Sequence, residues 1–119
     1  MEDDDAGMVT AELAIAIPTL VAVLVLCLSG LGLVLDQIQC VDAARISVRA
    51  AARGEPVEVV TDLARTVATA GAEVSVQRDG DRVTVTVRAA PRTRYLSALP
   101  RASATVEALL EPAARMGSP

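Results

Sequence analysis

Residues Met8–Leu35 read MVTAELAIAIPTLVAVLVLCLSGLGLVL, and from Leu13 to Leu35 no side chain is charged. At 1.5 Å per residue that uncharged run extends roughly 34 Å as a helix, enough to cross a hydrocarbon layer of ~30 Å with some tilt. Pro18, Ser29, Gly30 and Gly32 interrupt it only mildly. Such residues are tolerated in membrane helices, and the small ones let neighbouring helices approach closely. Residues 8–35 are therefore predicted to form a transmembrane helix. A cleaved secretory signal fits less well. Its apolar part is ~7–15 residues long behind a basic flank, whereas this run is longer and its flank is the acidic Glu2, Asp3, Asp4 and Asp5.

Past the membrane segment the helical pattern continues. Ile38, Val41, Ala44, Val48 and Ala51 recur every three or four residues and predict one apolar stripe. Arg45, Arg49 and Arg53, four apart, line a different face, and Asp42 is within i+3 reach of Arg45. Gly54 followed by Pro56 is a helix stop. A second helix is predicted from Val57 to Ala70, capped by Gly71, with Val60, Ala64, Val67 and Ala68 on one face.

The period then changes to two. Val74 and Val76 alternate with Glu73, Ser75 and Gln77, and Val83, Val85 and Val87 alternate with Thr84, Thr86 and Arg88. Asp79-Gly80-Asp81 between them predicts a hairpin, since glycine supplies the positive φ of a tight turn. Pro91 ends the second strand. Tyr95, Leu96 and Leu99 are expected to pack down on the sheet, and Ala102–Ala108 alternates as a third strand. The fold class expected is α+β: a long N-terminal transmembrane helix, a second helix and a small antiparallel β-sheet of two or three strands. The division is a leader over 1–7, the membrane helix over 8–35, a small exported domain over 36–110 (helical 36–70, β 72–108) and a flexible tail over 111–119.

Composition narrows the function. Of 119 residues 52% are apolar, yet Tyr95 is the sole aromatic. A core of Val, Leu and Ala buries little area per side chain, so the exported domain should be thin and weakly stable. The net charge of −4 argues against nucleic acid as a partner. All 11 basic residues are Arg and there is no His, which removes the commonest general base and metal ligand. No catalytic, cofactor-binding or metal-binding constellation is legible, and neither enzymatic activity nor a small-molecule substrate is expected. Cys27 and Cys40 lie thirteen positions apart on one helix. That is roughly 20 Å, beyond the ~7 Å limit for a disulfide. Cys40 reads as an apolar filler or as a cross-subunit thiol.

One short motif stands out. Gly7 precedes Met8, Glu12 is the fifth residue after Gly7, and the apolar run begins immediately afterwards. An ionised glutamate at the mouth of a membrane helix is costly unless paired, although the first helical turn favours an anion. This arrangement resembles the processing site of type IV pilins. More specifically, Gly7-Met8-Val9-Thr10-Ala11-Glu12-Leu13-Ala14-Ile15-Ala16-Ile17-Pro18 resembles the N-terminus of TadE-like minor pilins, with Glu12, Ala14 and Pro18 in that family's spacing. Gln39-Cys40-Val41-Asp42-Ala43-Ala44-Arg45 and Ala50-Ala51-Ala52-Arg53-Gly54-Glu55 resemble the same family's Asp-Ala-Ala-Arg and Ala-Ala-Arg-Gly segments. The likeness covers Gly7 to Glu55; the remainder is similar in layout alone.

The resemblance implies a minor component of a tight-adherence (Flp-type) pilus or related secretion apparatus. Its partners would be the membrane, a prepilin peptidase cutting between Gly7 and Met8, other pilins (major and minor) and the pilus assembly platform. Glu12 would serve recognition and register by facing the freed amine of Met8 on a neighbouring subunit, and Pro18 would shape the helix. Asp42, Arg45, Arg49 and Arg53 form either a solvated face or an interaction stripe toward lipid phosphates or a neighbour's carboxylates. Two features depart from the pattern: Met8 stands where many such pilins have Phe, and the leader is acidic where a basic one is usual. By the positive-inside rule, that acidic leader with Arg45, Arg49 and Arg53 beyond the span favours the opposite orientation. The competing reading is an unprocessed single-pass accessory or scaffold protein of a secretion complex.

Overall fold

The computed structural model describes residues 2–91 and 100–116. The chain is α+β and divides into two units, one ending at Gly32 and one beginning at Leu33. Helix α1 (Glu2–Ala52) runs through both, α2 is Val57–Val67, and strands β1 (Glu73–Asp79), β2 (Arg82–Arg88) and β3 (Ser103–Leu109) precede a short α3 (Pro112–Met116). The expected packing of Tyr95, Leu96 and Leu99 falls outside the described residues, as do residues 117–119 of the tail.

The strands form one antiparallel sheet in the order β1-β2-β3. Alternation decides which side faces in. Val83, Val85 and Val87 on the central strand are fully buried. Cross-strand register extends them into rows: Val74–Val87–Ala104, Val76–Val85–Val106 and, at the turn end, Val83–Ala108. The opposite face is polar, with the Thr86 and Thr105 hydroxyls 3.1 Å apart and Arg82 3.2 Å from Glu107. β1 and β2 are joined by a two-residue loop, Gly80–Asp81, in which Gly80 has φ +56° and Asp81 has a negative φ, the pattern of a type II′ turn.

Against the valines sit α1 and α2. The buried face of α1 comprises Cys40, Ala43, Ala44, Ser47, Val48, Ala50 and Ala51, and α2 adds Val60 and Ala64. This corrects the expected stripe. Ala44, Val48 and Ala51 are buried and Val41 is half-buried, but Ile38 is 52% exposed. The inward face is centred on Cys40, Ala43, Ala44 and Ser47. These short side chains join the valines of β2 in one buried cluster, and Ile38 falls on the opposite side of the turn. Ser47 is fully buried, and its hydroxyl has no hydrogen-bond partner among the described residues.

Local chain chemistry sets the ends of these elements. At the end of α1, Gly54 N–H donates to Ala51 O (3.0 Å) and Glu55 N–H to Ala50 O (3.3 Å), a Schellman closure with Gly54 at φ +84°. α2 ends at Val67, three positions before the expected Ala70. Residues Thr69–Ala72 instead form a separate turn closed by Ala72 N–H to Thr69 O at 3.1 Å. On β3, the Gln37 side-chain amide clamps Ser103, donating to its carbonyl at 2.9 Å and accepting its N–H at 3.2 Å.

From Glu111, where the sequence predicts a tail, bonds to the rest of the unit reach as far as Arg115. Glu111 N–H donates to Ala52 O (3.0 Å), Leu110 N–H to Asp81 O (2.7 Å), and Arg115 pairs with Asp81 (3.3 Å). α3 thus rests against the Gly54 turn, where a Cβ added to Gly54 would meet Ala114 Cβ at 2.9 Å.

Two stability outcomes follow for the full chain in detergent. Ser47→Ala removes a buried, unsatisfied hydroxyl and should stabilise the folded unit by about 1 kcal/mol, read as a raised thermal midpoint. Gly54→Ala must hold a left-handed conformation and displace α3, and should cost about 1–2 kcal/mol. Limited proteolysis should then cut faster at Arg115.

Candidate functional site

Gly7, Met8, Glu12 and Pro18 lie on the first unit, in the part of α1 that ends at Gly32. Its surface is apolar all round. Met8, Val9, Leu13, Ile15, Ile17, Leu20 and the aliphatic residues that follow are each more than half exposed. Among the described residues, none of its most apolar 18-residue window is buried. A helix without a polar face is stable only where something apolar surrounds it. This one is long enough and apolar enough to cross a membrane.

Polar groups in this stretch are satisfied from within. The hydroxyls of Thr10, Thr19 and Ser29 donate to the carbonyls of Ala6, Ile15 and Val25 at 2.9, 2.8 and 2.7 Å. Each is an i to i−4 bond, which spares an apolar medium an unmade hydroxyl bond worth roughly 2–7 kcal/mol. Pro18 sits inside the helix and has no N–H to give to Ala14. α1 nonetheless continues through it, so Pro18 does not end the helix.

Gly7, Met8 and Glu12 all lie within α1, which starts at Glu2 with Glu2, Asp3, Asp4 and Asp5 in its first turn. That placement sets carboxylates where the helix dipole favours them. Met8 and Glu12 are four apart and so share a helix face. Glu12 is the one ionisable carboxylate or guanidinium between Asp5 and Asp36. It is exposed and has no side-chain partner among the described residues. The Gly7–Met8 peptide bond lies in regular helix, bridged by the Thr10 hydroxyl to Ala6 O.

In the second unit the stripe residues Asp42, Arg45, Arg49 and Arg53 are all exposed. Arg53 pairs with Glu55 at 3.1 Å. Asp42 and Arg45, expected to be within reach of each other, form no ion pair among the described residues. Both are exposed, and a surface pair gains little over solvation. The sequence reading missed Asp36, which is 5% exposed and lines a cavity of about 260 Å³ with Thr69, Ala70, Ala90 and Pro91. Its signal was its phase: Asp36 lies four before Cys40, on the buried face. Cys40 itself is fully buried, with Sγ 3.7 Å from Ala102 O. Burial pushes its thiol above the ordinary value. A backbone hydrogen bond at Ala89 opposes this and the Asp36 carboxylate adds to it.

No family model matches the chain, and no solved structure matches it. The chain is 54% identical over 78 residues to a Mycobacterium tuberculosis protein named apoptosis inhibitor Rv3655c. The aligned stretch is 66% of this chain and 62% of that protein, so the chain spans less than two thirds of its relative's length.

The raised thiol has a pH consequence. Folding favours the protonated Cys40, so its stabilising share is intact below the ordinary thiol value of 9.0 and is lost as pH rises above it. Thermal midpoints of the full chain should fall faster from pH 8 to pH 10 than those of Cys40→Ala. Iodoacetamide at pH 8 should modify Cys40 only after unfolding.

Proposed function

We propose that this chain is a minor pilin-like structural component of a tight-adherence type IV pilus or related secretion apparatus. The observation that carries the reading is Glu12. It is a lone carboxylate at the mouth of an uncovered apolar helix, on the same face as Met8, one turn away. A carboxylate taken into the bilayer costs up to about 3 kcal/mol without a partner. A partner becomes available if the bond after Gly7 is cut, because the amine of Met8 on a neighbouring copy or related pilin is then free to pair. Glu12 thereby fixes the axial register of one helix against the next, and the apolar surfaces provide the packing.

In this reading the acidic leader stays on the cytoplasmic side, α1 anchors the chain in the membrane as a single pass, and the unit from Leu33 onward is extracytoplasmic. A prepilin peptidase cleaves between Gly7 and Met8. That step requires local unwinding, because the scissile bond lies inside α1 and under the Thr10–Ala6 bridge. Gly7 assists the opening, since glycine in a helix interior is destabilising by roughly 1 kcal/mol relative to alanine. The role is assembly, with no reaction carried out by the chain itself.

The same helical continuity favours a second reading, an unprocessed single-pass scaffold of a secretion complex. Intact mass and N-terminal sequence of the protein from native membranes separate the two. A chain starting at Met8 supports the pilin reading; a chain retaining residues 1–7 in cells with active prepilin peptidase sinks it. Glu12→Ala should leave membrane insertion intact and reduce incorporation into assemblies at least about tenfold, the equivalent of one lost pairing of ~1.4 kcal/mol.

A further inference from the structure

The exposed faces of α1 and α2 in the second unit carry complementary charge rows. On α1 the solvent-facing row is Asp42, Arg45, Arg49, with spacings of three and four. On α2 it is Glu58, Asp62, Arg65, with spacings of four and three. All six side chains are exposed, and none has a side-chain partner among the described residues. At 100° per residue, each row covers an arc of only about 60°, opposite its helix's buried face. Antiparallel alignment matches the rows position for position: Asp42 with Arg65, Arg45 with Asp62, and Arg49 with Glu58. The position-for-position parallel alignment instead sets Asp42 against Glu58 and Arg49 against Arg65.

Each row is flanked by an exposed aliphatic side chain. Ile46 is 42% exposed beside the α1 row, and Val59 is 45% exposed beside the α2 row. In the antiparallel alignment both fall on the same side of the charge row, so they can meet as the charges pair. An apolar contact bordered by complementary charge is the usual composition of a specific interface.

We propose that the α1 row of one copy docks antiparallel on the α2 row of a second copy of this chain. The contact deepens the assembly reading and rests on it, since it requires two copies in one membrane. Because each chain carries both rows, one contact leaves an unused row on each partner, and the association can propagate or close. The Arg45–Arg49 face thus recognises the carboxylates of its own kind.

The test uses the full chain in membranes, with two distinguishable C-terminal tags and capture of one tag after crosslinking. One variant reverses the α1 row (Asp42→Arg, Arg45→Glu, Arg49→Glu). The other reverses the α2 row (Glu58→Arg, Asp62→Arg, Arg65→Glu). Each alone should lose self-capture about tenfold, because like charges then face each other. Expressed together they should capture each other at close to the unmodified level, since reversed α1 meets reversed α2 and the untouched rows still match. Circular dichroism of each variant checks that these surface changes leave the fold intact. Loss in the α1 variant with an unaffected α2 variant would overturn the proposal and point to lipid phosphates as the ligand of the arginines. Failure of mutual rescue would overturn it as well. Intact mass from the same samples reports processing after Gly7, so failure of the pilin reading is a separate result.

Discussion

A single buried core shared by the short side chains of α1 and the valines of β2 is what the folded unit depends on. Val83, Val85 and Val87 are fully buried, and the helix meets them with Cys40, Ala43, Ala44 and Ser47. With no Phe or Trp in the chain, the core cannot be filled by a few large anchors. It is filled by many small aliphatic side chains, whose dispersion contacts are many and individually small. That arrangement buries the Ser47 hydroxyl among apolar side chains, without a hydrogen-bond partner among the described residues.

The edges of the unit are fastened by polar bonds to the backbone, where larger apolar side chains would serve in an ordinary domain. Gln37 clamps both backbone groups of Ser103, and Arg78 donates to the Glu55 carbonyl at 2.6 Å. Glu111 closes onto Ala52. These bonds tie β3 to the middle of α1, and β1 and the C-terminal segment to its end. A unit with a thin core gains from them twice, because each satisfies a backbone group and also restricts a segment that has little apolar area to hold it.

Local rules of chain geometry were legible in the sequence, and long-range phase was not. The valine alternation, the turn at Gly80 and the stop at Gly54 depend on residues a few positions apart, and all three appear in the structure where the sequence puts them. The inward face of α1 was misjudged at Ile38, because hydrophobicity alone favoured the larger side chain while the sheet selects the smaller ones. The Gln37–Ser103 clamp joins residues 66 apart, and the docking of the tail onto Ala52 spans a comparable distance. Neither has a periodic trace. At the N-terminus, the apolar run and the isolated Glu12 were plain in the sequence. That α1 begins as early as Glu2 and runs unbroken through Gly7 was not, since the acidic residues and the glycine read locally as a polar leader ahead of the helix.

The inward-turned hydroxyls of Thr10, Thr19 and Ser29 bear on what neighbouring helices can distinguish. With those donors already committed to their own backbone, the apolar stretch offers an adjacent helix shape and almost no directional chemistry. A smooth surface of this kind accepts rotation and substitution of neighbours with little change in energy. Under the proposed assembly, discrimination between alternative alignments of this stretch falls to Glu12, the one charged side chain between Asp5 and Asp36.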